Sequence, residues 1–251
     1  MSELAILKLG GSVITDKSGA CAIDHARLRT IAADIVMCRD RSLLLIHGAG
    51  SCGHPQAKYH HLDRGMSPGE TKGVYETHAA VRLLNAAVVE ALRSKGVEAI
   101  GIPPLGMGVT EGGRLASFAH EPLARMLEAG IVPVLHGDVM MDRIQGASIL
   151  SGDQLVVYLA LALNIRRVGL ATDVPGVLWN GTVISCLHPE DAVNVSSSRH
   201  ADVTGGMEGK VTELCTLARE GVESHIFHVT RIRDFLNRSD HGGTVIRRRA
   251  P

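Results

Sequence analysis

The chain has 251 residues, 45% of them hydrophobic, enough for a sizeable core in one large domain or in two lobes that share a sheet. Its 26 Lys and Arg balance 26 Asp and Glu, so the charge balance encodes no global attraction to nucleic acid or to an anionic membrane, and 3% aromatic content argues against stacking platforms for single strands. The longest apolar run, Leu155 to Leu163, is too short to span a bilayer, and no basic segment followed by an apolar stretch marks a secretory leader.

Strands and helices alternate along the sequence. A first strand over Leu4–Leu9 ends at Gly10-Gly11-Ser12, and a helix over Asp24–Cys38 leads to a second strand, Leu43–Ile46. The polar stretch from His60 to Lys72 is expected as a surface loop. The helix after it, Val74–Ser94, aligns Val74, Val81, Leu84, Val88 and Leu92 on one stripe. Strands at Ala99–Ile102 and Ile131–Leu135 bracket a helix at Glu121–Ala129. A helix at Asp153–Asn164 then precedes a strand at Val168–Ala171. A loop at Val193–Val203, a helix at Glu208–Glu220, a strand at His225–Val229, a helix at Ile232–Asn237 and a strand at Thr244–Arg247 complete the series, and Arg247, Arg248 and Arg249 form a short basic end expected to be solvated. This alternation predicts α/β architecture, with a largely parallel sheet covered on both faces. A lobe boundary near residues 164–167 lacks a Pro/Ser linker, so the lobes are expected to share one continuous sheet. Five cysteines, odd in number and without CxxC spacing, are expected as free thiols in a reducing cytosol.

Five loops carry candidate chemistry. At Gly10-Gly11-Ser12 two glycines let backbone amides turn toward an anion, with Lys8 and Lys17 flanking the turn; Lys8 interrupts an apolar strand, so its ammonium needs a partner or a cleft. The second strand runs into Gly48-x-Gly50-x-x-Gly53, the spacing of a dinucleotide fingerprint, with Glu70 near the position of a ribose-binding acid. That assignment requires a helix opening straight from the loop. The segment after Gly53 lacks a helical stripe, and the loop follows the second strand rather than the first, so the dinucleotide reading is set aside. His54, at the rim of this loop, is either a surface histidine or a donor to an anionic oxygen. Ser151 or Asp153 caps a helix whose N-terminus favours anions, and Asp153 is either that cap or a carboxylate that positions lysines. Asp173 stands at a strand's carboxyl end, where open α/β sheets bind ligands. Finally, Thr204-Gly205-Gly206 precedes a helix with Lys210 in its first turn; Val211 follows that lysine, so this is not a Walker loop. Glycine loops, lysines and an aspartate are suitable parts for phosphoryl transfer, which depends on charge stabilisation and alignment. No clustered Cys/His set or HExxH pattern suggests a protein-held metal.

The blocks "KLGGSVITDK", "HGAGSCGH", "HGD", "SGDQL", "TDVPGV" and "DVTGGMEGK" occur in an order that resembles the amino acid kinase superfamily and, within it, the archaeal-type isopentenyl phosphate kinases. The resemblance runs from Leu4 to "GGTVI" and implies a three-layer αβα sandwich with an acceptor lobe over residues 1–165 and an ATP lobe over 166–251, usually homodimeric and cytoplasmic. It implies MgATP-dependent phosphorylation of isopentenyl phosphate to isopentenyl diphosphate in an alternative mevalonate pathway. It places Lys8, Gly10, Gly11 and Ser12 on the ATP phosphates and Lys17 on the transferring group, Ala49, His54 and Gly152 at the acceptor, and Gly50 at both the acceptor and the nucleotide. Asp153 would organise the lysines, while Asp173, Gly206 and Lys210 would serve the nucleotide. An apolar prenyl pocket is expected along the Val74–Leu92 helix and the Ile131–Leu135 strand. Cys52 stands where many relatives carry Phe, and Pro175 where an acidic residue is common. A kinase of another phosphate or phosphonate such as fosfomycin, and a non-catalytic nucleotide-binding protein, are the alternatives on this scaffold.

Overall fold

The computed structural model describes residues 4–16, 21–38, 42–192, 201–202 and 206–249. Eight strands form a central sheet: β1 (Ala5–Leu9), β2 (Leu43–His47), β3 (Ala99–Gly101), β4 (Val132–His136), β5 (Arg167–Thr172), β6 (Cys186–Leu187), β7 (Glu223–His228) and β8 (Thr244–Ile246). Their spatial order is β6-β8-β7-β5-β1-β2-β4-β3, and only the β7–β8 pair is antiparallel. Helices α1 (Gly11–Ile14), α2 (His25–Val36), α3 (Gly50–Tyr59), α4 (Lys72–Arg93), α5 (Glu121–Glu128), α6 (Gly152–Ala162), α7 (Met207–Arg219) and α8 (Ile232–Leu236) surround it.

The near-continuous apolar runs of β1 and β2 are the signature of strands buried on both faces. Side chains alternate between those faces. Ala5, Leu7 and Leu9 meet Leu28, Ile31, Leu84, Val88 and Phe235 from α2, α4 and α8. Ile6 meets the opposite layer, where Leu123, Leu155, Leu159 and Leu214 come from α5, α6 and α7. Each fully buried leucine contributes about 1.5–3 kcal/mol, so these two layers dominate the stability. The result is the expected αβα sandwich. Leaving β1, the chain moves to β2 on one side, whereas β5, on the other side of β1, continues outward to β7. Such a switch point opens a crevice at the strands' carboxyl ends.

The seven expected strands are present within a few residues, and β6 is an addition. Several local expectations need correction. A helix does follow the glycine loop: α3 starts at Gly50 and passes through Pro55. Proline removes the N–H that would bond the Ser51 carbonyl. That oxygen instead accepts the N–H of Cys21 at 3.1 Å, which is why the helix tolerates the interruption. The absence of a helix is therefore no argument against a dinucleotide site; the placement of the loop after the second strand still is. Cys21 and Cys52 form a disulfide, against the expectation of free thiols, while Cys38, Cys186 and Cys215 are not disulfide-bonded. Sequence spacing cannot reveal a pair that meets only because the hairpin after α1 packs on α3. The stretch from His60 to Lys72 contains a short 3-10 turn, Leu62–Arg64, with Leu62 buried, so it is not wholly a surface loop. A four-stranded sheet from Gly108–Glu111, Arg114–Phe118, Asp138–Asp142 and Gly146–Leu150 was not expected. Of the Val193–Val203 loop, only Ala201–Asp202 lies within the described residues, as a short strand on Leu178–Trp179.

Candidate functional site

A cleft of about 950 Å³ lies at the carboxyl ends of β1, β2, β4 and β5. Lys8, Gly10, Gly11, Ser12, Ala49, Gly50, His54, Gly152, Asp153, Asp173, Gly206 and Lys210 all line it, so the structure brings together every site residue expected from sequence except one. Lys17 lies outside the described residues.

The lysines converge because three elements end there. Lys8 shares its strand face with Ile6 and points toward the N-terminus of α6, whose first turn carries Asp153. Its Nζ lies 2.9 Å from Asp153 Oδ1, as a close ion pair without hydrogen-bond alignment. Lys210 approaches from the first turn of α7 and places Nζ 3.8 Å from Asp153 Oδ2. Two ammonium groups thus share the Asp153 carboxylate, and the Asp173 carboxylate lines the same half-buried cleft. Burial lowers the Lys210 pKa, and the Lys8 charge lowers it further, against the opposing pull of Asp153 and Asp173. Ser151, rather than Asp153, caps α6, through its hydroxyl and the Gln154 N–H at 3.1 Å; Asp153 is left for the lysines.

The glycine loops are shaped by contact with each other as much as by ligand access. A Cβ on Gly11 would lie 2.6 Å from Gly50 Cα, and one on Gly48 would lie 2.7 Å from Gly11 N. Gly50 also adopts a left-handed φ of 52°. Thr15 ties the loops together: its hydroxyl donates to Gly11 O at 2.8 Å and accepts the Ser51 N–H at 3.0 Å. No sequence motif singles out Thr15; only the approach of the two loops reveals it. The backbone N–H groups of Ala49 and Gly50 form no hydrogen bond within the described residues. Gly152 packs on the strand ends, where a Cβ would sit 3.4 Å from both His47 O and Lys8 Cε.

His54 faces the same cleft from α3. Partial burial lowers its pKa, and the charges on Lys8 and Lys210 lower it further, which favours the neutral imidazole. Beyond it the wall becomes apolar, with Ala57, Val81, Ile149 and Leu150, and Thr77 among them. Helix α4 contributes to this end as expected. The Ile131–Leu135 segment does not; Ile149 and Leu150 occupy that place. Sequence reading missed the residues that partner the "HGD" block: His47 and Asn85 are buried beside His136, and the partly buried His78 lies 2.9 Å from Asp138, which itself lines the cleft. Isolated histidines and asparagines in apolar segments carry no spacing signal.

Phosphate groups fit this donor set. Two lysines share one counter-ion, free backbone amides adjoin glycines, and the N-termini of α3, α6 and α7 all reach the cleft. Among the described residues, no group of three or more His, Cys, Asp or Glu side chains is arranged around a metal. A Mg²⁺ carried largely by phosphate oxygens and water needs no such cage.

A parallel αβα sandwich with a lysine-rich glycine-loop cleft at its switch point is the architecture of a small-molecule kinase. Residues 3–228 match the amino acid kinase family, and the chain belongs to it. The chain is similar to the isopentenyl phosphate kinase of Haloferax volcanii, with 41% identity over 252 residues covering 98% of this chain and 99% of that protein. It is similar to that of Methanothermobacter thermautotrophicus at 38% over 243 residues, covering 90% and 91%. A solved isopentenyl phosphate kinase aligns with a TM-score of 0.86 at 33% identity, covering 97% of this chain and all of that one (100%). Carbamate kinase from Giardia lamblia bound to AMP-PNP aligns at 0.76 with 14% identity, a likeness of fold alone. Within the amino acid kinases, the chain belongs to the isopentenyl phosphate kinase family.

Proposed function

We propose that this enzyme transfers the γ-phosphoryl group of ATP to isopentenyl phosphate, giving isopentenyl diphosphate and ADP. The observation that carries this reading is the Lys8–Asp153–Lys210 bridge facing the Ala49–His54 loop across one cleft, with an apolar end beyond His54. A non-bridging oxygen of the acceptor phosphate attacks the γ-phosphorus, and the bond to the β–γ bridging oxygen breaks. That nucleophile is already anionic at neutral pH, so no general base is required. The task is to hold two polyanions in line. Lys8 with Gly10, Gly11 and Ser12 holds the donor phosphates, and Lys17 stabilises the transferring group. Asp173, Gly206 and Lys210 hold the nucleotide. Ala49, Gly50, His54 and Gly152 hold the acceptor, and Asp153 fixes the spacing of the lysines. A Mg²⁺ ion accompanying ATP would supply charge neutralisation. The prenyl group lies along Ala57, Val81, Ile149 and Leu150.

We extend the proposal to an acceptor lobe over residues 1–165, an ATP lobe over 166–251, a cytoplasmic location and a homodimer. Exposed Tyr75, Leu83 and Ile100, the last on edge strand β3, are consistent with a covered face. Among the described residues, no helix is long and apolar enough to cross a membrane. Incubating the protein with isopentenyl phosphate and MgATP while following ADP tests the activity. Stoichiometric ADP and isopentenyl diphosphate are expected; turnover of a phosphonate such as fosfomycin in place of isopentenyl phosphate would overturn the substrate assignment.

A further inference from the structure

Two neighbouring strands end on the same dipeptide. β2 closes on His47-Gly48 and β4 on His136-Gly137; the two histidines are register partners with ring centroids 5.5 Å apart, and both are fully buried. In each, ring Nδ1 lies close to the carbonyl oxygen of the following glycine, at 3.0 Å for Gly48 and 3.1 Å for Gly137. At His47 a third residue settles the proton's position. The side-chain amide nitrogen of Asn85, on α4, donates to Val134 O at 3.1 Å and lies 3.1 Å from His47 Nε2. An amide NH₂ only donates, so Nε2 accepts, the proton resides on Nδ1, and Nδ1 donates to Gly48 O.

Peptide planarity carries the consequence into the cleft. The Gly48 carbonyl and the Ala49 N–H belong to one trans peptide and point in opposite directions. With its oxygen held by His47, that peptide cannot rotate to turn a partial negative charge toward an anion. The Ala49 N–H stays on the far side, next to the Gly50 N–H, with neither bonded within the described residues. We propose that His47, oriented by Asn85, is a positioning residue for the acceptor phosphate: by holding the Gly48 carbonyl it presents the Ala49 and Gly50 amides to the substrate. His136 repeats the hydrogen bond at Gly137, but its Nε2 has no hydrogen-bond partner among the described residues, so it lacks the orienting contact that Asn85 provides at His47.

This proposal rests on the acceptor reading of the loop, and the test separates the two. Wild-type turnover of isopentenyl phosphate tests that reading; the His47 variants test the positioning role. His47→Asn can place an amide donor near the Nδ1 position, whereas His47→Gln places it near Nε2. His47→Asn is expected to keep the wild-type KM for isopentenyl phosphate. His47→Gln is expected to raise it about 10- to 100-fold, the loss of one or two hydrogen bonds to an anion, with the KM for ATP unchanged. Equal effects of the two substitutions, or lower melting temperatures with unchanged KM, would overturn the proposal and leave His47 a packing residue. Should either variant fail to fold, wild-type protein decides by ¹H–¹⁵N spectroscopy: His47 is expected as the Nδ1–H tautomer, and the Ala49 and Gly50 amides are expected to shift on titration with isopentenyl phosphate. An Nε2–H tautomer, or unshifted amides under saturation, would overturn it.

Discussion

His54 draws its role from its neighbours. Its pKa is lowered by burial and by Lys8 and Lys210, which favours the neutral ring; in the proposed acceptor role that ring would donate a hydrogen bond to the phosphate. His54→Ala is expected to raise the KM for isopentenyl phosphate about 10- to 100-fold while leaving the KM for ATP near its wild-type value, read in a coupled ADP assay. Asp153 acts on both lysines. Asp153→Asn would strand the Lys8 ammonium, whose side chain is only 5% exposed, and is expected to cost about 3–5 kcal/mol in urea denaturation together with a large loss of kcat. The Cys21–Cys52 bridge has a direct readout: of the five cysteines, non-reduced denatured protein should titrate three thiols, and reduced protein all five. Lys8, His54 and Asp153 were legible in sequence because each breaks its local pattern or adjoins a glycine loop. Thr15, His47 and Asn85 were not, since each matters through one long-range contact.

Among the elements, the two glycine loops work as a unit. Gly11→Ala drives a methyl group into the Gly50 backbone, which no side-chain rotation can relieve. A loss of about 1–3 kcal/mol in thermal or urea unfolding is expected, with a greater fall in activity because both cleft-lining loops shift. Strand β5 has a comparable contact on its outer face, where Gly169 admits Phe235, which stacks on Phe227 with centroids 5.0 Å apart and lies beneath the Arg167 guanidinium. Strands of the central sheet were legible because burial on both faces leaves long apolar runs. The four-stranded sheet was not, because its strands mix polar and apolar residues, and two of them are joined only by the Gly112-Gly113 turn. It is organised instead by Asp142, whose carboxylate accepts the N–H groups of Gly112, Gly113, Ile144 and Gln145. Helix α3 escaped notice for a similar reason: Pro55 argues against a helix locally, and only the distant Cys21 N–H satisfies the carbonyl that proline abandons.

Across the molecule, buried histidines set the acid limit of stability. Burial lowers the pKa of His47 and His136 from 6.5 to about 4, and that of His225 to about 3. As pH falls below 6.5 the unfolded chain takes up these protons while the native state does not, so stability declines with acidification. It is fully present above pH 6.5 and lost progressively down to about 4 for the first two and about 3 for the third. Each group adds a slope of up to about 1.4 kcal/mol per pH unit, which urea denaturation at pH 7, 6 and 5 would measure. A pH-independent midpoint over that range would contradict the burial of these rings.

The sequence by itself determined the layer order, the central strands and the loops that line the cleft. Those features depend on local periodicity, on glycine and on charges placed in apolar runs, all of which act over a few residues. Only the tertiary structure decided which glycines touch, which carboxylate two lysines share, which cysteines pair, and which side chain orients the His47 ring at the Gly48 carbonyl. Those outcomes depend on atoms brought together from strands and helices tens of residues apart, and no local pattern encodes such distances.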